Sequence, residues 1–88
     1  MEEDDRKMNI DEKIIKFVYE SQKDIDKQIN TEDIILEFNN YSKGYVYDRA
    51  QVLKNNKYII SIKYKSRFLK LSSKGEEWAI KLKDKEGE

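Results

Sequence analysis

The spacing of the apolar residues changes near Lys57, and this change limits the folds that the chain can form. Before Lys57 the apolar residues recur at the three- and four-residue intervals of amphipathic helices. After it they alternate with polar residues, and one face of the predicted strand holds Tyr58, Ile60, Ile62 and Tyr64. Because 88 residues can supply only one hydrophobic core, these elements are expected to form a single α+β domain.

The first two predicted helices share the same start signal, an Asn followed three residues later by an acid. Asn9 can cap the first helix with Glu12, and this helix is expected to run to about Gln22. Asn30 can cap the second helix with Asp33, after a polar link at residues 23–27. Both helices should therefore begin with a capping box.

A third helix is predicted directly after a short turn at residues 39–44. Its apolar positions recur at i, i+4 and i+7, and they are Val46, Ala50 and Leu53. This helix should end near residues 55–56, so the second and third helices are joined tightly.

A hairpin and a last helix complete the predicted domain. The strand over residues 57–64 turns through residues 65–67 into a second strand over residues 68–72, with Leu69 and Leu71 facing inward. Ser72 or Ser73 caps the last helix, and Trp78 and Leu82 supply its apolar contacts. Residues 1–8 and 83–88 lack hydrophobic periodicity, so the sequence predicts a disordered acidic arm, a domain over residues 9–82 and a disordered tail.

The residue types that are missing exclude several classes of function. The chain has neither Cys nor His, so disulfides, thiolate or imidazole metal sites, and cysteine or histidine catalysis are excluded. It has three Gly and no phosphate-cradling Gly loop, and its paired acids lack the further ligands of a calcium loop. We therefore expect a non-enzymatic protein without metal or cofactor. The sequence shows neither a membrane span nor a secretory signal, so a cytoplasmic location is expected.

The charges are balanced overall but are unevenly distributed. Lys and Arg number 18, as do Asp and Glu. Residues 1–40 hold 12 acids and six bases, residues 41–75 hold nine bases and one acid, and residues 76–88 hold five acids and three bases. A central segment with a net charge of +8 is typical of a nucleic-acid-binding surface. The alternative is that folding interleaves the acidic and basic segments into a mixed, solvated surface.

The order of elements and three segments together resemble the winged-helix form of the helix-turn-helix domain, in particular the small MarR- and PadR-type transcriptional regulators. The segments are Val46-x3-Ala50-x2-Leu53, the helix-to-strand junction at residues 54–59, and Leu69-Lys70-Leu71-Ser72-Ser73-Lys74-Gly75, which is similar to an LT-x-x-G wing ending. The resemblance covers residues 9–82 and implies a three-helix helix-turn-helix core, a two-stranded β-hairpin wing and a C-terminal helix. Asn56-Lys57 stands where that family usually has Gly, and an Asn can take the left-handed conformation that a Gly would supply.

The resemblance also implies which residues contact DNA, because the third helix of such domains lies in the major groove. At 100° per residue, Lys43, Tyr47 and Gln51 fall on the outward side of this helix, and they are the predicted base readers. Ser42 and Lys54 are predicted to contact phosphates. For Tyr47, packing against the first or second helix is an equally weighted alternative.

Three neighbouring residues of the third helix are assigned other positions. Tyr45 and Arg49 are expected on the side that packs inward, with the head of Arg49 meeting a carboxylate of the first or second helix. Asp48 faces outward and repels phosphate. It could accept a hydrogen bond from a cytosine amino group or pair with Lys43 or Lys54.

The hairpin supplies the second part of the predicted site. Lys63, Lys65 and Arg67 are expected to contact the DNA backbone, or in the case of Arg67 a narrow minor groove. The alternative is a basic hairpin whose cations are solvated, without any contact with DNA.

The sequence thus predicts a regulator that binds double-stranded DNA. Because one helix reads few base pairs, a homodimer through the exposed parts of the first and last helices is expected. The second hypothesis is a winged-helix protein-interaction module of a larger complex, in which Tyr45, Tyr47 and Tyr64 would be aromatic anchors.

Overall fold

A computed structural model of the chain describes residues 8–24, 27–64 and 66–86. These residues form four helices, which are α1 (Ile10–Gln22), α2 (Thr31–Glu37), α3 (Lys43–Asn55) and α4 (Ser73–Glu86). Between α3 and α4 the strands β1 (Ile59–Tyr64) and β2 (Ser66–Leu71) form an antiparallel hairpin. The predicted α+β class and the predicted order of elements are confirmed.

Both predicted capping boxes are formed. The Asn9 side chain accepts a hydrogen bond from the backbone N–H of Glu12 (2.9 Å), and the Glu12 carboxylate accepts one from the backbone N–H of Asn9 (3.1 Å). Asn30 and Asp33 make the same reciprocal pair at the start of α2. Local hydrogen bonds thus satisfy backbone donors that the first turn of a helix leaves free.

The end of α3 is a Schellman motif, in which the backbone turns directly into β1. The N–H of Tyr58 donates to the carbonyl of Leu53, and the N–H of Lys57 donates to the carbonyl of Lys54, both at 3.0 Å. Lys57 takes the left-handed conformation with φ 68°, whereas Asn56 keeps a φ of −88°. The left-handed position therefore falls on Lys57 and not on the Asn before it, because the helical backbone continues through Asn56 before it reverses.

The start of α4 packs closely against the start of β1. Ser72 caps the helix by accepting from the N–H of Gly75 (3.1 Å), and its own N–H donates to the carbonyl of Tyr58 (3.0 Å). A Cβ on Gly75 would overlap that same carbonyl oxygen, so this position requires glycine.

Two predicted boundaries of the domain differ from the structure. The last helix continues to Glu86 rather than ending near Leu82, so residues 83–86 of the predicted tail are helical. Met8, placed in the acidic arm, packs against the core, whereas residues 1–7 lie outside the described residues.

One hydrophobic core joins the helices to the inner face of the hairpin. In β2, Leu69 and Leu71 face inward as predicted, and Ile59 is buried opposite Leu71. The link before α2 also reaches the sheet, because Ile29 forms an antiparallel bridge with Leu69. The fully buried large side chains come from all three helices of the N-terminal half and from both strands: Ile14, Ile15, Val18, Ile34, Val46, Leu53, Ile59 and Leu71.

Candidate nucleic-acid interface

The outward side of α3 carries the predicted base-reading and phosphate-contacting residues together. Spacings of four, four and three residues align Lys43, Tyr47, Gln51 and Lys54 along one side of the helix. Lys43 and Tyr47 are exposed, and Gln51 and Lys54 are partly exposed. Ser42 is the N-cap, where its hydroxyl accepts from the N–H of Tyr45 at 3.3 Å and its side chain stays exposed. The structure therefore places four of these residues on one accessible strip of α3, with Ser42 exposed at the N-terminal end of the helix.

The two tyrosines of α3 are both exposed, and this corrects the prediction for Tyr45. Each has 47% of its surface accessible. Tyr45 was expected on the packed side, but its ring lies over Tyr41, with 6.0 Å between the ring centroids. Tyr41 is partly buried, contacts Phe38 and packs against the core, so Tyr45 contacts the core region through Tyr41 while its own ring stays exposed. The exposure of Tyr47 argues against the alternative in which it packs on the first or second helix.

Arg49 has the role that the sequence predicted for it. Its guanidinium donates two hydrogen bonds to the carboxylate of Asp11 in α1, from Nε at 2.8 Å and from a terminal nitrogen at 2.6 Å. The hydrogen bond and the charge of Asp11 both raise the pKa of Arg49 above its ordinary value. Arg49 thus holds α3 against α1, and its charge is compensated inside the molecule.

Asp48 lies exposed on α3 next to the predicted readers. In the part of the chain that the structure describes, it forms an ion pair with neither Lys43 nor Lys54. The predicted pairing of Asp48 with a neighbouring lysine is therefore absent from the described residues. The carboxylate faces solvent and can accept hydrogen bonds there.

The hairpin carries two cations directly opposite each other. Lys63 of β1 is the cross-strand neighbour of Arg67 in β2, and both side chains are exposed. Arg67 was predicted in the turn, but β2 begins at Ser66, so Arg67 belongs to the ladder. The third residue of this part of the site, Lys65, lies outside the described residues. Like charges placed opposite each other in a sheet are destabilising unless an anion lies between them.

The structure adds a cation that sequence reasoning did not place in the site. Lys74 of α4 donates to the backbone carbonyl of Asn56 (3.2 Å) and lies 4.4 Å from the ring centroid of Tyr58. These contacts bring Lys74 to the C-terminal end of α3. Lys54 lies in the last turn of that helix, and Lys57 follows its C-cap residue. No local pattern could have revealed this, because Lys74 and Asn56 are 18 positions apart.

The cations of the basic segment are largely free of acidic partners. Within residues 8–24, 27–64 and 66–86, Arg49 is the one member of this segment that forms an ion pair. The described cations without such a pair are Lys43, Lys54, Lys57, Lys63, Arg67, Lys70 and Lys74. Among the described residues, the acidic segments therefore neutralise the basic segment by direct ion pairing only at Arg49.

Two further observations concern other kinds of site. The described residues contain no group of three acids that could hold a metal ion. Among the helices of the described residues, none has the length and apolar character needed to cross a membrane.

In comparisons with known proteins, no family model, curated protein or solved structure matches the chain.

Proposed function

We propose that this protein is a non-enzymatic, winged-helix transcriptional regulator that binds double-stranded DNA. The observation that carries the proposal is the strip on α3, where Lys43, Tyr47, Gln51 and Lys54 are accessible together. A helix with this surface fits the major groove, whose base edges offer hydrogen-bond acceptors and donors to long side chains. Arg49 supports the same arrangement, because its pairing with Asp11 fixes the helix without using the exposed side.

The residues of the strip divide into two roles. Lys43, Tyr47 and Gln51 occupy the first three turns of α3, from which a helix-turn-helix domain reaches base edges. Lysine can donate to guanine acceptors, and glutamine can pair with adenine. Ser42 at the N-cap and Lys54 in the last turn lie at the ends of the helix, where phosphate contacts position it on the duplex.

The hairpin is the proposed wing, and its cations supply affinity that does not depend on sequence. Lys63 and Arg67 repel each other in the free protein, so a phosphate between them would remove an unfavourable interaction as well as add a favourable one. Lys65 belongs to the same predicted group. Lys74, held near the end of α3, adds a further cation for the backbone.

A salt titration with duplex DNA of mixed sequence tests the proposal. The logarithm of the binding constant should fall against the logarithm of salt concentration with a slope of about −0.9 for each phosphate neutralised. Lys63→Ala combined with Arg67→Ala should weaken binding to all duplexes alike and make the slope less negative. Lys81→Ala is the matched control, because Lys81 is an exposed lysine of α4 outside the proposed interface. An unchanged slope in the double variant would refute the role of the wing.

Sequence discrimination needs its own measurement. Gln51→Ala should reduce the difference in affinity between preferred and random duplexes by about 1–3 kcal/mol, with a smaller effect on random duplexes. The preferred duplex can be obtained by selection from a random library with the wild-type protein. If Gln51→Ala discriminates as well as the wild type, Gln51 does not read bases.

A second candidate function is a protein-interaction module, and the exposed rings of Tyr45 and Tyr47 favour it. Aromatic side chains are common anchors in protein interfaces. The third predicted anchor, Tyr64, has a side chain outside the described residues. An aromatic-centred interface responds weakly to salt, so a protein that shows no salt-dependent binding to duplex DNA would support this function instead.

A further inference from the structure

The two edges of the hairpin are satisfied very differently. On the outer edge of β2, the N–H of Leu69 donates to the carbonyl of Ile29, and the N–H of Leu71 donates to the side-chain oxygen of Gln22, both at 2.8 Å. On the outer edge of β1, no hydrogen bond reaches the strand from any described residue. One edge is therefore covered, and the other presents backbone groups that no described residue pairs with.

The covered edge also identifies which backbone groups of β1 point outward. In an antiparallel pair, residues alternate between those that bond to the opposite strand and those that point away from it. Leu69 and Leu71 point away from β1, so their partners Ser61 and Ile59 point away from β2. By the same alternation Lys63 also presents its N–H and C=O to the open edge.

We propose that this open edge binds the β1 strand of a second copy of the chain, in antiparallel orientation centred on Ser61. In this register Ser61 faces Ser61 of the second copy, and Ile59 faces Lys63 on each side. All three outward-pointing residues of each strand then find hydrogen-bonding partners, which gives six backbone hydrogen bonds in total. The two hairpins would form one continuous four-stranded sheet around a twofold axis.

The side chains select this register over its alternatives. On the outer face of the sheet, partly exposed Ile60 of one copy would lie beside Ile62 of the other, and both would lose contact with water. The two Lys63 residues lie four residues apart along the strands, about 13 Å at the rise of a β-strand. A register centred on Lys63 would instead place these cations directly opposite each other. Of these two registers, the one centred on Ser61 keeps the cations apart and pairs the apolar side chains of the outer face.

The helical surfaces offer less for the expected homodimer. In the described parts of α1 and α4, Ile80 is the one large apolar side chain that is exposed. Pairing through these helices is therefore the competing outcome of the test. The proposal for β1 does not depend on DNA binding, and no duplex is present in the experiment that follows.

Amide hydrogen exchange and sedimentation, measured on the full chain from micromolar to millimolar concentration, test the proposal. Association should increase with concentration, and the amides of Ser61 and Lys63 should become protected in parallel. The amides of Ile60 and Ile62 are internal controls, because they bond within the hairpin and should be protected at every concentration. A chain that stays monomeric throughout, or that associates without protection of Ser61, overturns the proposal.

Two variants separate the strand interface from other ways of associating. Ser61→Pro removes an N–H that points to the open edge, so it should leave the hairpin ladder intact and raise the dissociation constant about tenfold or more. Ser61→Ala keeps that N–H and is the matched control, with association close to that of the wild type. If circular dichroism shows that Ser61→Pro is unfolded, Ile62→Lys is used instead. This substitution places a charge beside Ile60 of the second copy on the outer face of the sheet, so it should weaken association to a similar extent. Association of a folded Ser61→Pro or Ile62→Lys at wild-type strength would overturn the proposal and indicate a helical interface.

Discussion

The replacement of Gly75 by alanine is the sharpest test of how the hairpin and α4 are joined. A Cβ at this position would overlap the carbonyl oxygen of Tyr58, and it would lie 3.1 Å from the Tyr58 carbonyl carbon and 3.2 Å from Cβ of Leu71. The two closer atoms belong to the backbone, so a change of side-chain rotamer cannot relieve the overlap. The first turn of α4 must move away from β1 instead.

This movement affects contacts that hold α4 in place. The carbonyl of Tyr58 also accepts from the N–H of Ser72 at 3.0 Å, and the ring of Tyr58 lies against Trp78 with 4.8 Å between centroids. Overpacking typically costs about 1–3 kcal/mol, and a weakened hydrogen bond adds about 1 kcal/mol. The better helix propensity of alanine returns up to about 1 kcal/mol. Gly75→Ala should therefore lower the free energy of unfolding by about 1–4 kcal/mol.

The same substitution at Gly44 is the matched control. A Cβ there meets no atom within 4 Å, and Gly44 lies exposed in the first turn of α3. Gly44→Ala should raise the free energy of unfolding by up to about 1 kcal/mol, because alanine favours the helix. Urea unfolding followed by circular dichroism and by Trp78 fluorescence measures both changes. If Gly75→Ala is as stable as the wild type, the close approach of α4 to Tyr58 is wrong.

Four other substitutions test three separate contacts. Lys57→Gly should raise the free energy of unfolding in urea by about 0.5–1 kcal/mol, because glycine takes the left-handed conformation without strain; a loss of stability would contradict the Schellman turn. Gln22→Leu should lower the free energy of unfolding by about 1–3 kcal/mol, since the N–H of Leu71 loses its partner, and faster exchange of that amide is the specific sign. Arg49→Gln and Asp11→Asn should each lower the melting temperature. In the double variant the decrease in melting temperature should be smaller than the sum of the two single decreases. Additive decreases would show that the two side chains do not interact. The salt dependence of DNA binding should be unchanged in Arg49→Gln, because this cation faces inward.

Several elements could be predicted from the sequence because short-range signals determine them. The capping boxes of Asn9 and Asn30 depend on groups three residues apart, and the apolar periodicity of the helices and of β2 defines which of their faces are buried. In β1 the alternation did not identify the buried face, because Ile59 is buried while Ile60 and Ile62 are partly exposed. The inward position of Arg49 also followed from its angle on α3 and from the length of its side chain. The accessible strip on α3 is the complement of the buried positions and was predictable for the same reason.

Other features of the interface depend on where distant segments meet. Tyr45 shares the angular position of packed residues on α3, but it is exposed and lies against the ring of Tyr41, which comes from the turn before the helix. Lys74 reaches the end of α3 only because α4 packs against β1. Neither position could be derived from the spacing of residues within one element.

The sequence by itself determined the order of the elements, the caps of the first two helices and the inward face of β2, because each depends on interactions between residues within one or two turns of the chain. The tertiary structure decided where those elements meet. The left-handed residue is Lys57, and the covered edge of the hairpin depends on a hydrogen bond between Gln22 and Leu71, which are 49 positions apart. Such contacts follow from the packing of the whole core, which local patterns do not encode.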